Sequence, residues 1–272
     1  MSKFIKKNLQ LRIVVILFFL AYTPILIWMW DRWFARDTYY SHGILVPFVT
    51  LYLIWQKRSQ LNKILPKRAP GSLILFGFGI ALYLISSMLR FYFSSAISML
   101  IVLIALILYF YGTKTLRIIA FPIFFLIFMV PLPLYVIVNI SFKMKLFAAT
   151  IATHLLNILG LYAVRDGSVI KLHSTFVIVD DVCSGLRSLI SLMALGSIFA
   201  YLLKGPMYKR VILFLMTIPI AIITNVCRVV FISTFSEIWG VHSTKGLVHD
   251  LTGFLVFVLA FIMLYFIGRL LE

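Results

Sequence analysis

Runs of apolar residues long enough to cross a lipid bilayer recur along the whole chain, and no other feature limits its fold as strongly. In hydrocarbon there is no water to bond backbone N–H and C=O groups, so the unit to look for is an apolar helix of about 20 residues. Eight such stretches can be drawn: Leu11 to Trp30, Ile44 to Trp55, Ser72 to Leu89, Ser94 to Tyr111, Ile118 to Val138, Leu186 to Leu203, Val211 to Ser233 and Leu251 to Gly268. The second is short unless it begins nearer Tyr39. With 63% hydrophobic residues and 12% charged ones, the chain could not bury its apolar surface in a soluble core. Its 16% aromatic content excludes disorder, and two cysteines are too few for a secreted disulfide scaffold. The expected fold is an all-α polytopic membrane protein of about eight transmembrane helices, a single integral-membrane domain over residues 1–272. The first stretch follows Lys3, Lys6 and Lys7 as a signal peptide would, but Trp28, Trp30 and Trp33 stand where small cleavage-site residues are needed. It is therefore expected to be a retained span.

A net charge of +17 on such a chain points either to nucleic acid or to membrane orientation, and the placement of the charges separates the two. Under an eight-span topology, fifteen basic residues fall in the loops on the side of the two termini, against eight on the other side. That asymmetry places both termini in the cytoplasm. Seven of the eight acidic residues fall on the outward side. The basic residues are scattered through short loops next to the membrane and form no folded basic face, so no nucleic-acid partner is expected. Arg187 and Arg228 lie within spans and are not explained by orientation.

One outward segment, about 131–183, is much longer than a connector requires. It opens on Pro131-Leu132-Pro133, which breaks or ends the fifth span. Residues 139–159 then alternate polar and apolar positions at helical spacing, with Lys143 and Lys145 near the start, as an interfacial amphipathic helix does. The competing assignment is a ninth span, which would invert everything downstream and put the basic loop around Lys204 outside. After Gly160 the period changes to two, and Asp166-Gly167 between β-branched runs predicts a small β-hairpin before the sixth span.

That hairpin leads into Asp180, Asp181, Val182, Cys183, Ser184 and Gly185, so Cys183 is expected at a helix start at the outer membrane surface. A helix N-terminus favours the reactive thiolate, Ser184 can cap the helix, and Gly185 would let a substrate carbonyl approach the backbone. Asp180 and Asp181 oppose thiolate formation, so a nearby cation is needed. Arg228 lies in the middle of the seventh span, where a charge costs about 2.5–3.5 kcal/mol on insertion scales and so suggests function. Pairing with Asp180 or Asp181, or snorkelling to an interface, would be the structural alternatives. His249 opens the eighth span at the depth expected for Cys183. Together the three residues could serve as nucleophile, oxyanion stabiliser and base. Arg187, four residues after Cys183, would tune the thiolate or pair with Asp180 or Asp181. Asn225 and His42 are candidate site lining, and Cys227 is read as a packing residue. His154, His173 and His242 have no partner at metal-ligand spacing, so neither a metal nor a cofactor is expected.

The motifs DDVCSGLRSL (Asp180 to Leu189), TNVCRVVF (Thr224 to Phe231) and GLVHDLTGF (Gly246 to Phe254) resemble those of the exosortase and archaeosortase family. The segment DTYYSHGILVPFVTLYLIW (Asp37 to Trp55) and the Pro-Leu-Pro element extend the similarity over most of the chain. The resemblance implies a membrane-embedded cysteine protease and transpeptidase, with Cys183 as nucleophile and Arg228 and His249 as its partners. Archaeal relatives carry arginine at the third position, so the histidine points to the bacterial branch and to the inner membrane, with the site on the periplasmic or extracellular face. Substrates implied by the family are secreted proteins ending in a sorting signal of the PEP-CTERM type: a motif such as Pro-Glu-Pro, a transmembrane helix and a basic tail. The acceptor would be a surface polysaccharide or lipid. A different class of function is a non-enzymatic transporter or export component using Arg228 to hold an anionic lipid-linked polysaccharide; it predicts that Cys183 is dispensable. A third is a family member that has become a structural partner.

Overall fold

The computed structural model describes residues 2–36, 38–180, 183–240 and 247–272, with the side chains of residues 2–8 and 247–250 excepted. The chain divides into two compact units, Met1–Leu132 and Pro133–Glu272, and the boundary falls inside Pro131-Leu132-Pro133.

The first unit is helical. Helix α1 (Ser2–Phe34) is continuous through Pro24, and a short 3₁₀ turn (Ser41–Ile44) leads into α2 (Leu45–Gln56) and the single turn α3 (Arg58–Leu61). Helices α4 (Ser72–Met88) and α5 (Tyr92–Phe110) pair closely because Gly79 leaves no Cβ against Val102. The expected fifth span is not one helix. After α6 (Thr113–Ile118), the segment expected to run from Ile118 to Val138 forms α7 (Ala120–Phe125) and a 3₁₀ turn (Leu126–Met129) and breaks at the two prolines, which lack backbone donors, before a new helix starts at Leu134. Polar anchors hold its end in place: Trp33 Nε1 donates to the Met129 carbonyl at 2.8 Å, and the Leu132 N–H donates to the Tyr40 hydroxyl at 3.1 Å. His42 lies beside this anchor in the 3₁₀ turn, its ring centroid 5.8 Å from that of Tyr40.

The second unit begins with α8 (Leu134–Ile158), capped by Pro133. This helix covers the predicted amphipathic segment 139–159 but starts five residues earlier, because Pro133 supplies the fixed φ that opens a helix. It is long and apolar enough to cross a membrane, like α1, α5, α10 (Met207–Trp239) and α11 (Leu247–Leu271), whereas the apolar helices 41–56, 72–88, 120–129 and 186–202 are shorter. The chain is thus a multi-pass helical membrane protein.

The predicted hairpin is instead a three-stranded antiparallel meander: β1 (Val164–Asp166), β2 (Val169–Lys171) and β3 (Phe176–Ile178). Gly167, at φ +60°, makes the first turn. The run 169–179 looked like one strand, but the Leu172 N–H donates to the Thr175 carbonyl at 2.8 Å and folds it back on itself. Register pairs Ile170 with Val177, and Ile170 is fully buried against Ala149, Ala152 and Leu156 of α8 and Val229 of α10. Both ends of the sheet are tied down. Asn157 of α8 exchanges two hydrogen bonds with the main chain of Ala163, at 2.9 and 3.0 Å, and Glu237 of α10 accepts from the Ser174 hydroxyl at 2.7 Å. Replacing Ile170 by alanine is expected to destabilise the detergent-solubilised protein by about 2–5 kcal/mol, measured as a lowered unfolding midpoint.

Helix α9 (Leu186–Leu202) packs on α10 and α11 around Leu192, Leu213, Ile220, Ala260 and Leu264. Gly196 permits the close crossing, since a Cβ there would lie 2.2 Å from the Thr217 methyl. Helix α10 is about 50 Å long at 1.5 Å per residue, longer than a hydrocarbon core of about 30 Å. It extends beyond the predicted 211–233 at both ends, and Arg228 lies two-thirds of the way along it.

Candidate active site

The sheet delivers Cys183 to the start of α9 and against the flank of α10. Val179 is buried, and its N–H donates to the Ser168 carbonyl at 2.9 Å, so the chain leaves the sheet along a defined path. The Cys183 N–H then donates to the Asp180 carbonyl at 2.9 Å, closing a turn before the helix. Cys183 is half-buried, packs at the edge of the cluster that holds Ile170, and is not in a disulfide. Asp181 and Val182 lie outside the described residues.

Asn225 of α10, buried to 3% exposure, donates from Nδ2 to the Cys183 carbonyl at 3.0 Å. Its amide occupies the space that a side chain at residue 185 would need: a Cβ on Gly185 would stand 2.7 Å from Asn225 Cγ. Gly185 also has φ +82°, a conformation that favours glycine. Gly185 is expected to open the backbone to a substrate carbonyl, and in the structure the side on which a Cβ would stand is taken by Asn225. Its missing side chain makes room for Asn225, and the two residues lock the start of α9 to α10. Ser184 differs as well. Gly185 is the N-cap residue, and Ser184, one position earlier, accepts the Leu186 N–H at 3.3 Å as a local turn brace. Gly185→Ala is expected to displace Asn225 and to cost about 1–3 kcal/mol in backbone strain. It should slow alkylation of Cys183 by iodoacetamide while leaving alkylation of the exposed Cys227 unchanged.

One helical turn beyond Asn225, Arg228 reaches across to α11. Its Nε donates to the buried Thr252 hydroxyl at 3.4 Å, and its guanidinium lies 3.4 Å from where a Cβ on Gly253 would be. The guanidinium therefore lies against α11 at a glycine. Helical register puts residue 249 on the same face of α11, three and four residues before Thr252 and Gly253. The His249 side chain lies outside the described residues.

Burial pushes the Cys183 thiol above its ordinary pKa. The positive charge of Arg228 opposes this, and Asp180 adds to the upward shift. Arg228 thus supplies a positive charge that opposes the upward shift, and burial outweighs it. Arg187 is half-buried on the first turn of α9. His42 belongs to the first unit, and Cys227 is exposed beside Leu155 and Ile158 rather than packed in the core. Among the described residues no group of three His, Cys, Asp or Glu could hold a metal ion. Thr252 and Gly253 were missed as site residues. They fall within the GLVHDLTGF motif, but only the α10–α11 packing shows that they face Arg228.

A helical membrane protein that holds a cysteine main chain and an arginine side chain from one transmembrane helix is a candidate membrane-embedded thiol enzyme. A family model described as transmembrane exosortase matches residues 28–266, and the chain belongs to that family. Searches of curated proteins and of solved structures return no significant match.

Proposed function

We propose that this exosortase is a cysteine peptidase and transpeptidase that cleaves C-terminal sorting signals of secreted proteins and passes the new carboxyl end to a surface acceptor. One observation carries the reading: Asn225 and Arg228, a turn apart on α10, act on the same residue, one through the Cys183 carbonyl and the other through the charge felt by its thiol. In this mechanism the Cys183 sulfur attacks the substrate carbonyl and its proton passes to His249. Arg228 stabilises the oxyanion, the C–N bond breaks, and His249 returns the proton to the leaving amine. The thioester is then opened by water or by an acceptor hydroxyl or amine, with His249 taking the incoming proton. A buried neutral thiol suits this order, because the base is needed when substrate is present and a reactive thiolate does not stand exposed beforehand.

The site belongs on the outer face of the inner membrane with both termini cytoplasmic, and α8 lies along the surface. Lys143 and Lys145, near the middle of α8, would otherwise sit close to the bilayer centre at about 2.5–3.5 kcal/mol each. The test is processing of a tagged reporter ending in a motif, an apolar span and a basic tail taken from the same genome. Dependence on both Cys183 and His249 supports the peptidase. Undiminished processing by Cys183→Ala removes it in favour of a transport role.

A further inference from the structure

An apolar cleft opens beside the Cys183 segment. It encloses about 310 Å³ and is lined by Lys143, Met144, Phe147 and Ala148 of α8, by Ser184, and by Ile222 and Asn225 of α10. That volume is near the lower end of the range of about 300–1,000 Å³ for ligand pockets, enough for a bulky side chain but not for a large cofactor. Two of its wall residues bear directly on Cys183: Ser184 follows it in the chain, and Asn225 bonds its carbonyl. A group bound in the cleft therefore lies beside the Cys183–Ser184 main chain.

Among the described residues the lining contains one ionisable residue. Lys143 is exposed and stands four residues before Phe147, so the ammonium stem and the apolar wall share one face of α8. Two other lysines of this unit are engaged: Lys171 pairs with Asp166 at 2.8 Å, and Lys145 lies 5.5 Å from the Phe142 ring centroid. Among the described residues no carboxylate pairs with Lys143. Among the described residues the cleft thus combines an apolar interior with one positive charge, which is complementary to an apolar group flanked by an anion.

We propose that the cleft is the specificity pocket of the Cys183 site, taking an apolar side chain of the substrate peptide while Lys143 pairs with an acidic residue beside it. The proposal rests on Cys183 being the nucleophile.

Full-length protein in phosphatidylcholine nanodiscs is treated with chloroacetyl-Phe-Glu-amide, chloroacetyl-Phe-Lys-amide and chloroacetyl-Gly-Glu-amide, and labelling of Cys183 is followed by peptide mass spectrometry. Iodoacetamide serves as the measure of intrinsic thiol reactivity. The Phe-Glu probe is expected to label about tenfold faster than either of the others, as one charge-assisted contact allows. Lys143→Glu should invert the Glu-to-Lys preference, Lys143→Arg should keep it, and Ala148→Phe should abolish the advantage of Phe over Gly, each probe rate being taken relative to that variant's own iodoacetamide rate. Equal probe preferences in wild type and Lys143→Glu overturn the proposal. So does a Lys143 effect that appears only with phosphatidylglycerol present and equally for every probe, since the lysine would then be contacting lipid phosphate. Reporter processing that depends on Cys183 while the preferences ignore Lys143 removes this inference alone. Processing that survives Cys183→Ala removes the nucleophile on which it rests.

Discussion

Cys183→Ala is expected to lower processing of the tagged reporter by about 10⁴-fold or more, because the proposed covalent intermediate forms on its sulfur. Cys227→Ala should leave processing unchanged, since Cys227 is exposed in a separate groove lined by Leu155, Ile158 and Phe231. The pair of variants controls for general effects of removing a thiol. A trapped species adds a second readout: mild acid quenching of wild type with reporter should preserve an adduct that hydroxylamine releases, and Cys183→Ala should show none. Full activity in Cys183→Ala would exclude thioester chemistry, and a wild-type adduct resistant to hydroxylamine would exclude a thioester as the intermediate.

The second large effect is expected at Arg228. Removing a group that stabilises an oxyanion costs about 10²–10³-fold in turnover, so Arg228→Gln should fall in that range in reporter processing. A pH profile distinguishes this role from a purely structural one. The thiol already sits above its ordinary pKa through burial, and Arg228 acts to lower it. Without the guanidinium the thiol must rise further, and the midpoint of the Cys183 alkylation rate should move to higher pH. Asp180 acts in the opposite sense, so Asp180→Asn should move the midpoint to lower pH. Arg228→Lys keeps the charge and should keep the midpoint near that of wild type, while losing the planar fork that lies against Gly253. A midpoint that does not move in Arg228→Gln would show that the arginine does not act on the thiol.

Much of this site was readable in the linear chain because each of its main residues breaks a local pattern. Arg228 is a charge in an apolar helix, and Cys183 follows a change from period two to period 3.6. Asn225, three residues before Arg228, was also on the list of candidates. Its role was not readable, because the hydrogen bond to the Cys183 carbonyl spans 42 positions in sequence. The contact between Gly185 and Asn225 was not readable for the same reason. A glycine before a helix looks like an opening for a ligand until the side chain that fills the space is known. The extra turn in the sheet was missed because Leu172 to Thr175 carries no Gly, Pro or Asn to mark it.

The sequence alone was enough to determine a multi-pass helical protein, since uncharged runs of this length have no other stable form in lipid and none in water. It also singled out the arginine and the cysteine, because a buried charge and a helix-start thiol carry energetic consequences that do not depend on the rest of the fold. The tertiary structure decided what those residues do to each other. The sheet packs Ile170 against α8 and α10 and is tied by Asn157 and Glu237, and in that position Cys183 comes under Asn225 and within the field of Arg228. Coulomb interactions and hydrogen bonds depend on separation in space, and a pattern read along one dimension carries no such distances.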